Sequence, residues 1–269
     1  MTEHVTYGSL ERTRRQRYLT AFTTIVIKEL NRFLRIWVQT ILPPAITMSL
    51  YFVIFGNLIG PRIGPMAGFS YMEYIAPGII MMAIITNAYS NVVSSFFGAK
   101  FQHHIEEILV APVPHALILA GYVCGGVCRG VIVGALVTVV ATFFADLGIH
   151  SYAITLAVVI LTSTLFSLGG FINAMYARKF DDISIVPTFV LTPLTYLGGV
   201  FYSIELLGEP WRQLSLLNPI LYMVNAFRYG ILGVSDIGLP QAFAVILGFI
   251  VLLSMFSLHL LNRGVGLRS

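Results

Sequence analysis

The stretch that decides the reading is AKFQHHIEEILVAPVP, residues 99–114. It is a short charged island between two long apolar runs. Phe101, Ile105, Ile108 and Leu109 recur at i, i+4, i+7 and i+8, so they share one face of a predicted helix. Lys100, Gln102, His103, His104, Glu106 and Glu107 take the other face. About eleven helical residues reach only ~16 Å, too short to cross a bilayer. Pro112 and Pro114 stop the helix, because proline cannot continue one. An amphipathic helix at the water boundary, tied to two membrane spans, can carry a push from a soluble partner into the membrane. The same pattern also fits a solvated connector or a helix resting on headgroups, and the rest of the chain has to decide between them.

Composition sets the class. The chain has 269 residues, of which 57% are hydrophobic and 10% charged, with a mean hydropathy of +0.84. Soluble domains carry about 25% charge, so this is an integral membrane protein. Its length allows one all-α membrane domain of about six helices with short loops. The net charge of +4 is spread over span ends and does not form a patch for nucleic acid. Cys124 and Cys128 sit four apart in an apolar run and read as buried small side chains, too few to hold structural zinc. No cleavable signal peptide is expected, since the first apolar run begins late, near Trp37.

Taken in order, residues 1–20 read as a basic cytoplasmic tail and 21–266 as the membrane domain. Residues 21–36 alternate bulk with charge, and Lys28, Glu29, Arg32 and Arg35 form the polar face of an interfacial helix; the alternative is that this stretch simply begins the first span. Six spans follow, at about 37–58, 71–98, 116–144, 152–177, 183–202 and 239–262. Pro43-Pro44 predicts a kink near the start of the first span. With the N-terminus in the cytoplasm, twelve of the sixteen Lys and Arg residues fall inside, three fall outside and Arg129 falls within a span. That bias puts 99–114 and both termini in the cytoplasm. Segment 203–238 is apolar yet broken by Asn218-Pro219, Asn225 and Arg228. It reads as a re-entrant helical pair on the outer side, since broken backbone at membrane depth survives only when buried in protein or lining a wet cavity.

Chemistry of other kinds is missing from the sequence. There is no phosphate-cradling G-x-x-x-x-G-K-[ST], no G-x-G-x-x-G, no G-x-S-x-G and no H-E-x-x-H. His103 and His104 would point about 100° apart on a helix, a poor geometry for a shared metal, so no metal site is expected. No chain of intramembrane carboxylates appears, which disfavours an ion-coupled carrier or channel. No local nucleophile–base pair supports a membrane enzyme. Arg129 is either a functional charge at depth or a residue that snorkels or pairs with a neighbouring span. Gly125, Gly126, Gly130 and Gly134 give the third span a small-residue face for close packing, and Asn87, Asn91 and Asn173 read as interhelical glue.

Several pieces in order resemble the membrane subunit of ABC-2 type exporters, the permease family that includes bacterial drug-efflux, nodulation-factor and polysaccharide-export subunits. They are Tyr74-Ile75-Ala76-Pro77-Gly78, Glu106-Glu107-Ile108-Leu109-Val110-Ala111-Pro112-Val113-Pro114, Gly198-Gly199-Val200-Phe201-Tyr202, Leu217-Asn218-Pro219-Ile220 and Arg228. The resemblance implies that 100–109 is a coupling helix docking on a separate ATPase subunit through Lys100, Phe101, His103, His104, Ile105, Glu106, Glu107 and Leu109. It implies a flanking role for the helix at 21–36. It also implies a homodimer with two ATPase copies in a bacterial inner membrane. ATP and Mg²⁺ would be bound by the partner, and this chain would hold no cofactor and perform no hydrolysis. An amphipathic, lipid-like or glycan substrate would pass between the two permeases. Phe189, Tyr196, Phe201 and Tyr202 are the candidates for lining that path; as ordinary packed or lipid-facing aromatics they would have no such role.

Overall fold

The computed structural model describes residues 14–110 and 112–266, with Leu109 described by its backbone alone. Most of the expected basic tail, Arg12 included, therefore lies outside the described residues, as do the side chain of Leu109 and the whole of Ala111. The described chain is helical throughout. Helix α1 is Arg14–Arg35, α2 is Trp37–Ile63, α3 is Tyr71–Phe101, α4 is His104–Val110, α5 is His115–Ala141 and α6 is Tyr152–Tyr176. Helix α7 spans 182–196, with a π-helical stretch at Pro187–Leu191. Helix α8 is Glu209–Leu216, α9 is Pro219–Leu232 and α10 is Leu239–Arg263.

Among the described residues, five helices are long and apolar enough to cross a membrane: α2, α3, α5, α6 and α10. The sixth expected span, 183–202, is not a continuous helix. It stops at Tyr196, and Gly199 then adopts a φ of 69°, a left-handed conformation that glycine takes without a Cβ penalty. The fifteen residues of α7 reach only about 22 Å.

The centre of the bundle is α3. Its start is fixed by a capping box: the Ser70 hydroxyl accepts from the Glu73 N–H, and the Glu73 carboxylate accepts from the Ser70 N–H at 2.8 Å. Pro77 lies inside α3 and removes one backbone donor, while Gly78 lets the backbone of Val200 come too close for any Cβ. Helices α5, α6 and α9 surround α3. The glycine face of α5 is used as its spacing predicts: Gly126 sits against Ser167 and Gly130 against Ser163, both of α6.

Two sets of contacts identify the ends of the bundle. At one end Lys100 meets Ala177 and His115 meets Asn262, so α3, α5, α6 and α10 share it with α4. At the other, the Tyr71 hydroxyl donates to the Phe201 carbonyl, and the N–H groups of His150 and Ser151 donate to the carbonyls of Ile231 and Gly230. The chain passes from the first end to the second through α7 and the turn at 197–202.

Segment 203–238 is held by buried polar groups. The Asn218 side chain caps α9 through the N–H of Ile220 and donates to the Leu194 carbonyl. Arg228 is fully buried. Its Nη2 donates to the Gly199 carbonyl at 2.6 Å and its Nε to the Tyr74 carbonyl at 3.2 Å, with the guanidinium 4.1 Å from the centre of the Tyr74 ring. Asp236 accepts from Ser203 and from the Ile204 N–H, and its own N–H donates to Asn225. The residues that break the apolar pattern of this stretch are therefore its fasteners.

Candidate functional site

Two regions carry candidate function, one at the α4 end and one halfway along the bundle. At the α4 end the structure divides the predicted 100–109 helix. Lys100 and Phe101 finish α3, and the chain reverses at His103, whose φ is 60°. Only then does α4 begin. Of the predicted docking residues, His103, His104, Glu106 and Glu107 are exposed, while Ile105 is buried against the bundle. The His103 ring nitrogen lies 3.2 Å from the Glu106 carboxylate. Phe101 is exposed and packs edge-on to Phe180.

Lys100 turns toward the bundle. Its ammonium donates to the carbonyls of Met175 and Ala177, both at 2.7 Å, and reaches that of Ala174 at 3.5 Å. These are the unpaired carbonyls at the C-terminus of α6, where a cation also complements the helix dipole. Gly266 packs against the same Met175 carbonyl. One side chain thus ties the ends of α3 and α6 together, with the residues after α10 alongside. A groove of about 720 Å³ opens here, lined by Lys100, His103 and Glu106 on one side and by Tyr176, Arg178 and Val265 on the other.

Helix α1, read as interfacial over 21–36, is two turns longer at its start than predicted, and its polar residues divide. Lys28 and Arg35 are exposed, Lys28 lying 6.0 Å from the Tyr122 ring. Glu29 is fully buried. It accepts from the Ser95 hydroxyl and from Arg32 Nη2 at 3.2 Å, and Arg32 also donates to the side chain of Asn91 at 2.8 Å. So Glu29 and Arg32 point into the bundle rather than at headgroups. The periodicity of 21–36 marks a polar face but not the matching polar partners on α3.

Arg129 donates to Asn87 Oδ1 at 3.0 Å and to the Thr40 carbonyl at 3.3 Å. Pro44 has no N–H to offer that carbonyl, as the fourth residue of a regular helix would. Arg129 replaces the missing donor at the break in the first turns of α2, around Ile41.

The second region is a cavity of about 270 Å³ between α2, α3 and α7. Eight hydroxyl-bearing side chains stand on its wall, Thr47, Thr86, Ser90, Thr192 and Thr195 with the tyrosines Tyr51, Tyr89 and Tyr196, although most of the lining surface is apolar. Met48, Met82 and Leu191 supply apolar surface, and no acidic or basic side chain lines it among the described residues. The π-helical stretch shifts the register of α7, so Thr192 bonds back five residues to the Pro187 carbonyl at 2.9 Å. Of the four predicted lining aromatics, Tyr196 is on this wall, its hydroxyl 3.3 Å from that of Tyr51. Phe189 points outward and is 73% exposed. Phe201 closes one end of an aromatic stack with Tyr51, Phe55 and Tyr196. Tyr202 is half-buried and not on the wall. The spacing of Thr47 with Tyr51, of Thr86 with Ser90, and of Thr192 with Thr195 and Tyr196 is the sequence signal for this cavity.

Residues 20–232 match the family model described as ABC-2 type transporter. The chain belongs to the ABC-2 type transporter family. Its ABC-2 relatives include the inner membrane transport permease YadH of Escherichia coli (strain K12), 60% identical over 252 residues that cover 94% of this chain and 98% of the relative. They also include nodulation protein J of Rhizobium leguminosarum bv. viciae, 22% identical over 215 residues, which is 80% of this chain and 83% of that protein. Nodulation protein J of Neorhizobium galegae matches at 23% over 217 residues. The chain is a multi-pass transport permease of the ABC-2 type, and five of its described helices are long and apolar enough to cross the membrane.

Proposed function

We propose that this permease is the membrane-spanning half of an ATP-driven exporter in a bacterial inner membrane, and that it moves an amphipathic substrate outward by alternating access. The motor is a separate ATPase subunit, which binds ATP and Mg²⁺; this chain contributes no cofactor. The observation that carries the reading is α4, a seven-residue helix with His104, Glu106 and Glu107 exposed, attached through Lys100 to the ends of two long spans. A partner that engages α4 pushes on α3 and α6 together, which suits a lever between two packed arrangements.

In this reading the α4 end is cytoplasmic, α7 makes a sixth crossing, both termini are cytoplasmic and 203–238 roofs the outer side. Two copies pair through the faces of α2 and α7 that the chain itself leaves uncovered, where Ile46, Leu50, Leu58, Ile185 and Phe189 are exposed. Pairing there would face the two cavities toward one central path. The relative named an inner membrane transport permease supports the location, and the family supports the ATPase partner.

The test is the double substitution Glu106→Lys with Glu107→Lys, which reverses the charge of an exposed surface. The variant inserts into the membrane at normal levels but loses at least tenfold in ATPase association, which is about 1.4 kcal/mol or more of binding free energy. Normal recovery of the ATPase with this variant would refute α4 as the docking element.

A further inference from the structure

We infer that the cavity between α2, α3 and α7 accepts head groups that donate hydrogen bonds and carry no negative charge, and that it rejects anionic head groups such as phosphate esters. This inference rests on reading the cavity as part of the substrate path, and it narrows which amphiphiles that path admits.

Donors, acceptors and charges on one wall set this preference. The hydroxyl hydrogens of Thr86, Thr192 and Thr195 are committed to carbonyls of their own helices, those of Met82, Pro187 and Leu191, at 2.9, 2.9 and 2.7 Å. Their oxygens therefore offer lone pairs to the cavity and no hydrogen. Tyr51 and Tyr196 share one hydrogen bond, which uses one of their two hydrogens. Four hydroxyl hydrogens stay uncommitted, those of Thr47, Tyr89 and Ser90 and one of the tyrosine pair, against eight hydroxyl oxygens that can accept, so acceptors outnumber free donors. A phosphate or carboxylate brings only more acceptors. Its charge would meet no cation, because no basic side chain lines the cavity and Arg129 is engaged with Asn87 and Thr40. Burying an unpaired anion there is costly.

An ammonium or a sugar brings hydrogens for the oxygens that the wall's own free hydrogens cannot match. The tyrosine faces attract a cation, and the sulfurs of Met48 and Met82 add polarisable surface. A volume of about 270 Å³ lies just below the range usual for whole small ligands. It suits a head group with its first few carbons, while the tail stays outside. Thr47, Thr86, Thr192 and Tyr196 are exposed and stand at the mouth.

The experiment uses the full-length permease in phosphatidylcholine nanodiscs. Three photoreactive amphiphiles share one dodecyl diazirine tail and differ in the head: ammonium, glucoside or phosphate. Labelling of the wall at 47–51, 86–90 and 192–196 is divided by labelling of the exposed face of α10 at Val251, Leu252 and Met255, which removes differences in partitioning. The ammonium and glucoside ratios are expected to exceed the phosphate ratio at least fivefold. Thr192→Val and Tyr196→Phe should each lower the ammonium and glucoside ratios at least threefold. A phosphate ratio equal to or above the others overturns the head-group assignment and leaves the path intact. Ratios near one for all three heads overturn the cavity as a path, and the assignment with it. Unchanged ratios in both variants overturn the role given to these hydroxyls.

Discussion

Helices α3 and α2 are both apolar membrane spans, yet the chain treats them in opposite ways. Over their most apolar windows α3 is 83% buried within the protein and α2 only 17%. Hydropathy does not cause the difference, since the mean is 1.4 for α3 and 1.6 for α2. Helix α3 is flanked by close-packing devices: the glycine face of α5, Gly170 against the Tyr89 backbone, and Gly78 against Val200. Helix α2 starts at a proline-broken bend and runs into a π-helical stretch, with Leu50 and Leu58 outward. Fixed packing in one half and an open face in the other is what a transporter needs if one part transmits force while another changes partners.

The largest expected effect of breaking this contrast lies in the packed half. Arg228→Met leaves the carbonyls of Gly199 and Tyr74 buried without their donor, at a cost of about 3 kcal/mol. The detergent-solubilised protein should aggregate on size-exclusion chromatography; a monodisperse, normally stable variant would show that Arg228 is not the fastener of 203–238. A smaller effect is expected where the packed half meets the docking end. Lys100→Met removes the cap on α6 at a cost of about 1 kcal/mol, which lowers the melting temperature by only a few degrees. Transport should fall while ATPase association stays within twofold of normal, and loss of association would instead place Lys100 in the docking surface. The smallest perturbation sharpens the comparison between open faces. Leu50→Cys, on a Cys124→Ser and Cys128→Ser background, should form a disulfide-linked dimer under mild oxidation, whereas Leu252→Cys on α10 should not. Equal cross-linking at both positions would remove the distinction between a pairing face and a lipid face.

Particular residues show how far the sequence could be read. The glycines of α5 were legible because their spacing alone defines a small face, and a small face has one main use. The fate of 100–109 was not. An apolar period ran unbroken across His103, but a left-handed turn at a non-glycine residue leaves no mark in the pattern. Glu29 reads as part of an interfacial polar face because amphipathic periodicity gives the direction of that face and not what stands opposite it; Ser95 on α3 supplies that. The apolar run at 183–202 suggested a full span, yet Gly198-Gly199 was the available sign that the helix ends early. The hydroxyls of the cavity are scattered over three helices, and each taken alone looks like ordinary back-bonding within its own helix.

The sequence by itself determined the solvent of this protein and the count of its long apolar helices to within one, because the hydrophobic effect acts on each segment independently of where its neighbours lie. Only the tertiary structure decided which polar groups meet: Lys100 with the end of α6, Glu29 with Ser95, Arg129 with the carbonyl that Pro44 leaves free, and eight hydroxyl-bearing side chains around one cavity. The physical reason is that hydrogen bonds are short and directional, so their partners are fixed by how helices pack and not by distance along the chain.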